Sequence, residues 1–177
     1  LRNFEKKIIN FLSLKNLDKI EYSAEPKIDG ISASLIYVNG KFIQGLSRGD
    51  GKEGEDITQN LKTIKDIPTK ITSKNFPKEI DIRGEVFIEN NDFKKINQKF
   101  ANPRNAASGS LRQKNAVVTS KIPLKFIAYT YGYAENMNIK NQSDFLNNLK
   151  FWGFKINPLN KKIDDIKKLI LNHKNLE

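Results

Sequence analysis

The sequence predicts an α+β protein of mostly antiparallel sheets flanked by helices, and three observations carry that prediction. Asn39-Gly40 separates two strand-like runs, a strong hairpin signal. From residue 80 to 88, Ile80, Ile82, Gly84, Val86 and Ile88 alternate with Asp81, Arg83, Glu85 and Phe87, the pattern of a strand with one buried side. Helical periodicities lie between such runs, yet no regular strand–helix–strand repeat does, which argues against a parallel sheet.

Taken in order, Phe4, Ile8, Phe11 and Leu12 recur at helical spacing and predict an amphipathic helix over residues 3–13. A short strand is expected over residues 24–28. The next covers residues 31–38, where Ile31, Ala33, Leu35 and Tyr37 alternate with Ser32, Ser34, Ile36 and Val38. Its hairpin partner runs from Lys41 to Arg48. A glycine-rich, acid-studded loop follows, Arg48-Gly49-Asp50-Gly51 with Gly54-Glu55-Asp56. Ile57, Leu61 and Ile64 then share a helical face, with Asp56 as N-cap and Pro68 as terminator.

Beyond the strand at 80–88, Asp92 is expected to cap a short helix through Lys99. Asn102-Pro103-Arg104-Asn105 reads as a turn and residues 106–113 as a helix of small residues. Residues 124–131 form an aromatic-rich strand, and residues 143–152 a helix stopped at Gly153. A further strand over 154–156 and a last helix over 163–171 complete the expectation. No repeat, low-complexity linker or second domain is expected, so residues 1–177 read as one domain.

No apolar run approaches the ~20 residues that span a bilayer, so no membrane partner is expected. The absence of cysteine excludes disulfides and thiolate zinc sites and suits a reducing cytoplasm. His173, the only histidine, sits among asparagines and lysines and reads as a solvated residue. A chain that opens on Leu1 is expected to lack its natural N-terminus. The net charge is +11, and its distribution says more than its size. Ten of the twenty acids lie between Asp50 and Asp92, whereas residues 93–134 hold none against eight basic residues. That asymmetry points to a polyanionic partner, nucleic acid first and a nucleotide second.

The candidate chemistry begins at Glu25-Pro26-Lys27-Ile28-Asp29-Gly30, which sets one lysine between two carboxylates. A free amine is the nucleophile when lysine attacks phosphorus, and an ordinary lysine, titrating near ~10.4, is mostly protonated. Arg48 is followed by glycine, so backbone and guanidinium can both approach a phosphate. Glu85, on the charged side of its strand, could hold a ribose hydroxyl or a metal ion. Arg104 and Arg112, eight residues apart, would fall near the same side of one helix. Tyr129, Tyr131 and Tyr133 alternate, so all three could face one side and one could stack on a base. Each of these has an ordinary alternative as a solvated charge or aromatic core. Together with the acid-free segment they form a coherent phosphate-handling set.

These motifs, with Arg83-Gly84-Glu85-Val86 and the run Phe100-Ala101-Asn102-Pro103-Arg104-Asn105-Ala106-Ala107-Ser108-Gly109-Ser110-Leu111-Arg112-Gln113, resemble the adenylation domain of bacterial NAD⁺-dependent DNA ligases. The resemblance covers nearly the whole chain in matching order and spacing. It implies a nucleotidyltransferase-type fold in which Lys27 takes AMP from NAD⁺ and Asp29 orients it. It further implies that Glu25 lies by the adenine, Tyr129 stacks on it, Glu85 holds the ribose and Arg48 binds the nucleotide. Arg104 and Arg112 would face phosphates of nucleotide or of nicked double-stranded DNA, with Mg²⁺ assisting. Strand sealing in replication and repair, by a cytoplasmic monomer, follows from the same resemblance.

The chain also departs from the family. The module that recognises the nicotinamide mononucleotide half has no counterpart before Leu1, and the lysine-bearing strands that complete the AMP pocket would follow Glu177. The OB-fold, four-cysteine zinc module, helix-hairpin-helix and BRCT regions are missing, and the loop between Asn97 and Phe100 is short. The expectation is an adenylation domain incomplete at both ends, unable to seal nicks alone and weak in self-adenylation. Two alternatives stand beside it. One is an ATP- or GTP-using nucleotidyltransferase, which shares Lys-x-Asp-Gly but not the run from Asn102 to Gln113. The other is a non-catalytic basic module that binds nucleic acid through phosphates.

Overall fold

The computed structural model describes residues 1–14, 20–48, 54–96 and 100–176. The architecture is α+β with antiparallel sheets, as expected. Two compact units divide it, Leu1–Pro26 with Pro158–Glu177, and Lys27–Asn157.

The first unit contains helix α1 (Arg2–Phe11), strand β1 (Tyr22–Ala24), strand β6 (Lys161–Ile163) and helix α7 (Ile166–Lys174). β1 and β6 pair antiparallel, Tyr22 opposite Ile163 and Ala24 opposite Lys161. The expected strand over 24–28 is therefore displaced to Tyr22–Ala24. Its partner offers only three residues, and Pro26 has no N–H to extend a ladder. The last helix starts later than predicted because Lys161–Ile163 is used as strand, and Asp165 caps the helix through Lys167 N and Lys168 N at 2.6 and 3.1 Å. Tyr22 donates its hydroxyl to Glu5 Oε1 at 2.7 Å, tying β1 to α1. Burial, reinforced by that carboxylate, pushes the phenol up to about 12.

The second unit is built on a four-stranded antiparallel sheet in the order β3-β2-β4-β5, with β2 at Ile31–Val38, β3 at Lys41–Ser47, β4 at Glu79–Phe87 and β5 at Lys125–Ala134. Asn39 and Gly40 turn the β2–β3 hairpin with φ of 50° and 71°, the positive pair a two-residue type I′ turn requires. One side of the sheet is core: Leu35 and Tyr37 on β2, Ile80, Ile82 and Val86 on β4, and Phe126 and Ala128 on β5 are all buried. Tyr37 keeps its hydroxyl satisfied by donating to the Pro68 carbonyl at 2.6 Å, and burial raises its pKa.

Short helices clothe this sheet. Helix α2 (Thr58–Leu61) is shorter than expected and ends well before Pro68. Thr63 Oγ1 binds the Asn60 carbonyl at 2.7 Å, competing with helical propagation, and residues 62–67 continue as tight turns that still bury Ile64 and Ile67. Asp56 does receive the Thr58 N–H, at 2.9 Å, although Ile57 occupies the cap position itself. Helix α3 (Asn90–Phe93) contains Asp92 rather than starting after it, since β4 ends at Phe87 and the chain turns at once. The Lys99 end expected for that helix, and the short loop after Asn97, lie outside the described residues.

Helix α4 (Pro103–Leu111) absorbs the predicted turn. Asn102 is its N-cap, accepting from Asn105 N at 2.8 Å, and Pro103 fits the first position, where no N–H is needed. Helix α5 (Ala116–Thr119) was not predicted, because Val117, Val118 and Thr119 are poor helix formers. It is fixed from both ends: Asn115 caps it, and buried Thr119 accepts from Asn60 Nδ2 at 2.7 Å and donates to the Ser110 carbonyl at 2.8 Å. Helix α6 (Gln142–Phe151) ends as expected at Gly153, whose φ is 92°. Residues 154–156 are irregular rather than strand, joined to β5 by the bond from Ala128 N to the Lys155 carbonyl at 2.9 Å.

Candidate active site

The side of the sheet opposite the core carries a polar group built from three strands. Ser32 on β2 stands in register with Glu85 on β4. Ser32 Oγ lies 3.1 Å from Glu85 Oε2 and 3.3 Å from the Tyr129 hydroxyl on β5. Glu85 is 8% exposed and has no cationic partner among the described residues. Alternation predicts a solvated charge at that position, but cross-strand neighbours enclose it. A buried carboxylate held by one hydroxyl keeps acceptor capacity that favours further donors.

Tyr129 reaches this side through an irregularity in the ladder. Arg83 pairs with Thr130 and Gly84 with Ala128, which leaves Tyr129 as the extra residue of a β-bulge. Gln142 Nε2 donates to its carbonyl at 2.7 Å and holds the bulge from α6. The bulge also resets the alternation. Tyr131 pairs with Ile82 and meets the Phe145 ring at 4.8 Å between centroids, on the core side. The expectation that Tyr129, Tyr131 and Tyr133 share one side is thereby corrected, since period 2 does not survive an inserted residue.

Lys27 is not at a strand end, as expected, but in an irregular stretch before β2. Its side chain is exposed, and no described residue pairs with its amine. The stretch is fixed just downstream in two ways. Arg104 Nη1 donates to Asp29 Oδ1 at 3.1 Å, joining it to the first turn of α4. Gly30 is buried so tightly that an added Cβ would sit 2.9 Å from Glu85 Cγ and 3.0 Å from Phe87 Cβ. The chain that bears Lys27 thus enters the sheet directly against the Glu85 side chain.

Arg48 immediately follows β3, exposed and without an ion pair among the described residues. The loop after it, 49–53, lies outside the described residues. Arg112, the C-cap of α4, pairs through Nε with Glu55 Oε2 at 3.1 Å. Glu55 is tied to the end of β3, its carbonyl accepting from Ser47 N at 3.0 Å and its N–H donating to Ser47 Oγ at 3.1 Å. Arg104 and Arg112 therefore serve opposite ends of one helix, about 12 Å apart along its axis at 1.5 Å per residue. The helix brings them to two different carboxylates.

The structure thus groups Glu85 with Tyr129, and Asp29 with Arg104. Glu25 belongs to the other compact unit, where it accepts from Ser23 Oγ at 2.7 Å. Sequence reading passed over Ser32 and Gln142, and took Glu55 as part of an acidic loop without a partner. Ser32 could have been found as the polar position of β2 set against a charged position of β4, had the pairing register been known. Gln142 left no signal beyond residue type. Among the described residues no three His, Cys, Asp or Glu side chains gather as a metal-binding group, and no helix is long and apolar enough to cross a membrane.

A family model described as the NAD-dependent DNA ligase adenylation domain matches residues 1–177. The chain is similar to a DNA ligase of Pelagibacter ubique, 80% identical over 177 residues that make up all of this chain and 26% of that protein. A DNA ligase of Parvibaculum lavamentivorans is 46% identical over 178 residues, covering 96% of this chain and 25% of the relative. One from Bradyrhizobium sp. is 42% identical over 185 residues, covering 100% of this chain and 26% of the relative. The chain spans about a quarter of the length of these curated relatives.

Proposed function

The chain belongs to the family of NAD-dependent DNA ligase adenylation domains, and from that premise we propose that it forms a lysine–AMP adduct from NAD⁺ and passes the AMP to the 5′-phosphate of nicked double-stranded DNA. The work is done as part of a longer ligase that seals strands in replication and repair. Lys27 is the nucleophile. Its Nζ bonds to the phosphorus of the AMP half, the pyrophosphate P–O bond breaks, nicotinamide mononucleotide leaves with that oxygen, and the amine proton is released. A 5′-phosphate oxygen then displaces Nζ at the same phosphorus, and a 3′-hydroxyl later expels AMP as the strand is joined.

Chemistry of this type rests on positioning and charge neutralisation. Asp29 orients the Lys27 segment, while Arg48, Arg104 and Arg112 meet phosphates. Exposed arginine–carboxylate pairs such as Arg104–Asp29 and Arg112–Glu55 are worth only ~0–1 kcal/mol, so phosphates can compete for both guanidiniums. Glu85 takes the ribose hydroxyls and Tyr129 stacks on the adenine. Mg²⁺ binds protein through one or two carboxylates together with substrate phosphates and water, and the exposed Asp29 would offer it one carboxylate. When bound, the ion neutralises phosphoryl charge.

The observation that carries this reading is the buried Glu85 carboxylate, held by Ser32 and accompanied by Tyr129, against which the Lys27-bearing chain enters the sheet. Mass spectrometry of the full-length protein after incubation with NAD⁺ or ATP tests it. A gain of one AMP from NAD⁺ that vanishes in Lys27→Ala is expected. An adduct from ATP alone would identify an ATP-using nucleotidyltransferase instead. No adduct from either, in folded protein, would leave a phosphate-binding module whose salt-dependent DNA affinity ignores Lys27→Ala.

A further inference from the structure

Ser32 stands in the middle of a directed chain of hydroxyl protons. Its Oγ is within hydrogen-bond distance of both Glu85 Oε2, at 3.1 Å, and the Tyr129 hydroxyl, at 3.3 Å. A serine hydroxyl has one proton to give, and an ionised carboxylate can only accept. With the serine proton committed to Glu85, the second bond closes only when the phenol donates. The direction is therefore Tyr129 to Ser32 to Glu85, and both protons are consumed.

Three further contacts keep these groups in place. Ser32 and Glu85 are cross-strand register partners, so their separation is set by the ladder. Gly30 walls the Glu85 arm at Cγ. Gln142 Nε2 holds the Tyr129 carbonyl at 2.7 Å at the bulge that turns the ring to this side.

Resting on the nucleotide reading above, we infer that Ser32 is a positioning residue that locks Glu85 and Tyr129 into one acceptor-only unit and thereby selects a nucleotide whose ribose hydroxyls are free to donate. The remaining oxygens of that unit reward a donor and have nothing to offer an acceptor. A ribose bearing a 2′-phosphate brings negative charge and no proton at that oxygen, against a carboxylate with no cationic partner among the described residues. Such a ligand is disfavoured twice over.

Calorimetric binding of NAD⁺ and NADP⁺ to the full-length protein, run beside AMP-transfer kinetics, tests the inference in Ser32→Ala, Tyr129→Phe, the double variant and Ser32→Thr. Hydrogen bonds to charged groups set the scale, so Ser32→Ala is expected to weaken NAD⁺ binding and raise KM about tenfold. The kcat should stay within about twofold, the signature of lost uniform binding. Preference for NAD⁺ over NADP⁺ should narrow by a similar factor, and Ser32→Thr, which keeps the hydroxyl, should restore both values. The two single losses should not add, because each breaks the same chain.

Unchanged NAD⁺ affinity in Ser32→Ala, additive losses, or no recovery in a folded Ser32→Thr protein would overturn the inference. If the parent protein binds NAD⁺ but never acquires AMP, the lysine chemistry fails while calorimetry still judges Ser32. If AMP transfer proceeds and Ser32→Ala changes nothing, only the role of Ser32 fails. A parent that binds neither nucleotide overturns both.

Discussion

Arg104 Nη1 donates to Asp29 Oδ1 across 3.1 Å, linking residues 75 apart in the chain while both side chains remain open to water. Solvent screens such a pair, and holding two side chains together costs entropy, so its value to stability is small. Its value to geometry is larger, because it joins the residue two places after Lys27 to the capped first turn of α4.

Asp29→Asn is therefore expected to change unfolding free energy by less than ~1 kcal/mol in urea titration. AMP transfer in the full-length protein should nevertheless fall roughly 10²-fold, the scale of loss when a reacting group is misplaced by an ångström. A large drop in stability with unchanged transfer would reverse the assignment and make the pair structural.

Gly30→Ala separates size from conformation, because Gly30 does not need a positive φ. The added methyl would press on Glu85 Cγ at 2.9 Å and Phe87 Cβ at 3.0 Å, and closer still on the Val86 carbonyl oxygen. Overpacking of this kind costs about 1–3 kcal/mol, read as a lowered urea midpoint. Displacing Glu85 should also weaken NAD⁺ binding, so the variant should lose affinity at denaturant concentrations where it is still folded.

Asp56 supplies a pH dependence whose sign follows from its hydrogen bonds. Thr58 Oγ1 donates to its Oδ1 at 2.6 Å and Thr58 N at 2.9 Å, and these bonds hold its carboxyl below the ordinary aspartate value of 3.8. A lowered folded-state pKa contributes stability that is fully present above the unfolded value and is lost as pH falls through the folded one. The melting-temperature loss in Asp56→Ala should thus be largest near about pH 6 and shrink as the buffer approaches about pH 3. A loss independent of pH would assign the effect to packing at α2 alone.

Several elements were legible because their signal is local. Asn39-Gly40 prescribes its own backbone, Gly153 ends a helix by conformation, and the alternation over 80–88 states which side of β4 is core. Errors fell where a distant partner decided the outcome. Ile163 looks like the start of a helix until β1 is present to pair with it. Asp92 looks like a cap until the end of β4 moves the helix start ahead of it. The three tyrosines look equivalent until a bulge, held by Gln142 from another helix, separates Tyr129 from Tyr131.

By itself the sequence determined the α+β class, the strands of the main sheet and the residue types of the site, because periodicity, turn chemistry and motif spacing are properties of neighbours along the chain. Tertiary structure alone decided that Glu85 is enclosed, that Ser32 joins it to Tyr129, and that Arg104 holds Asp29 while Arg112 holds Glu55. The Glu85, Ser32 and Tyr129 group depends on ladder register and on the residue inserted at Tyr129, and a one-residue change in either would carry those side chains to the opposite side of the sheet, whereas the two arginine pairs depend on where the ends of α4 meet distant loops.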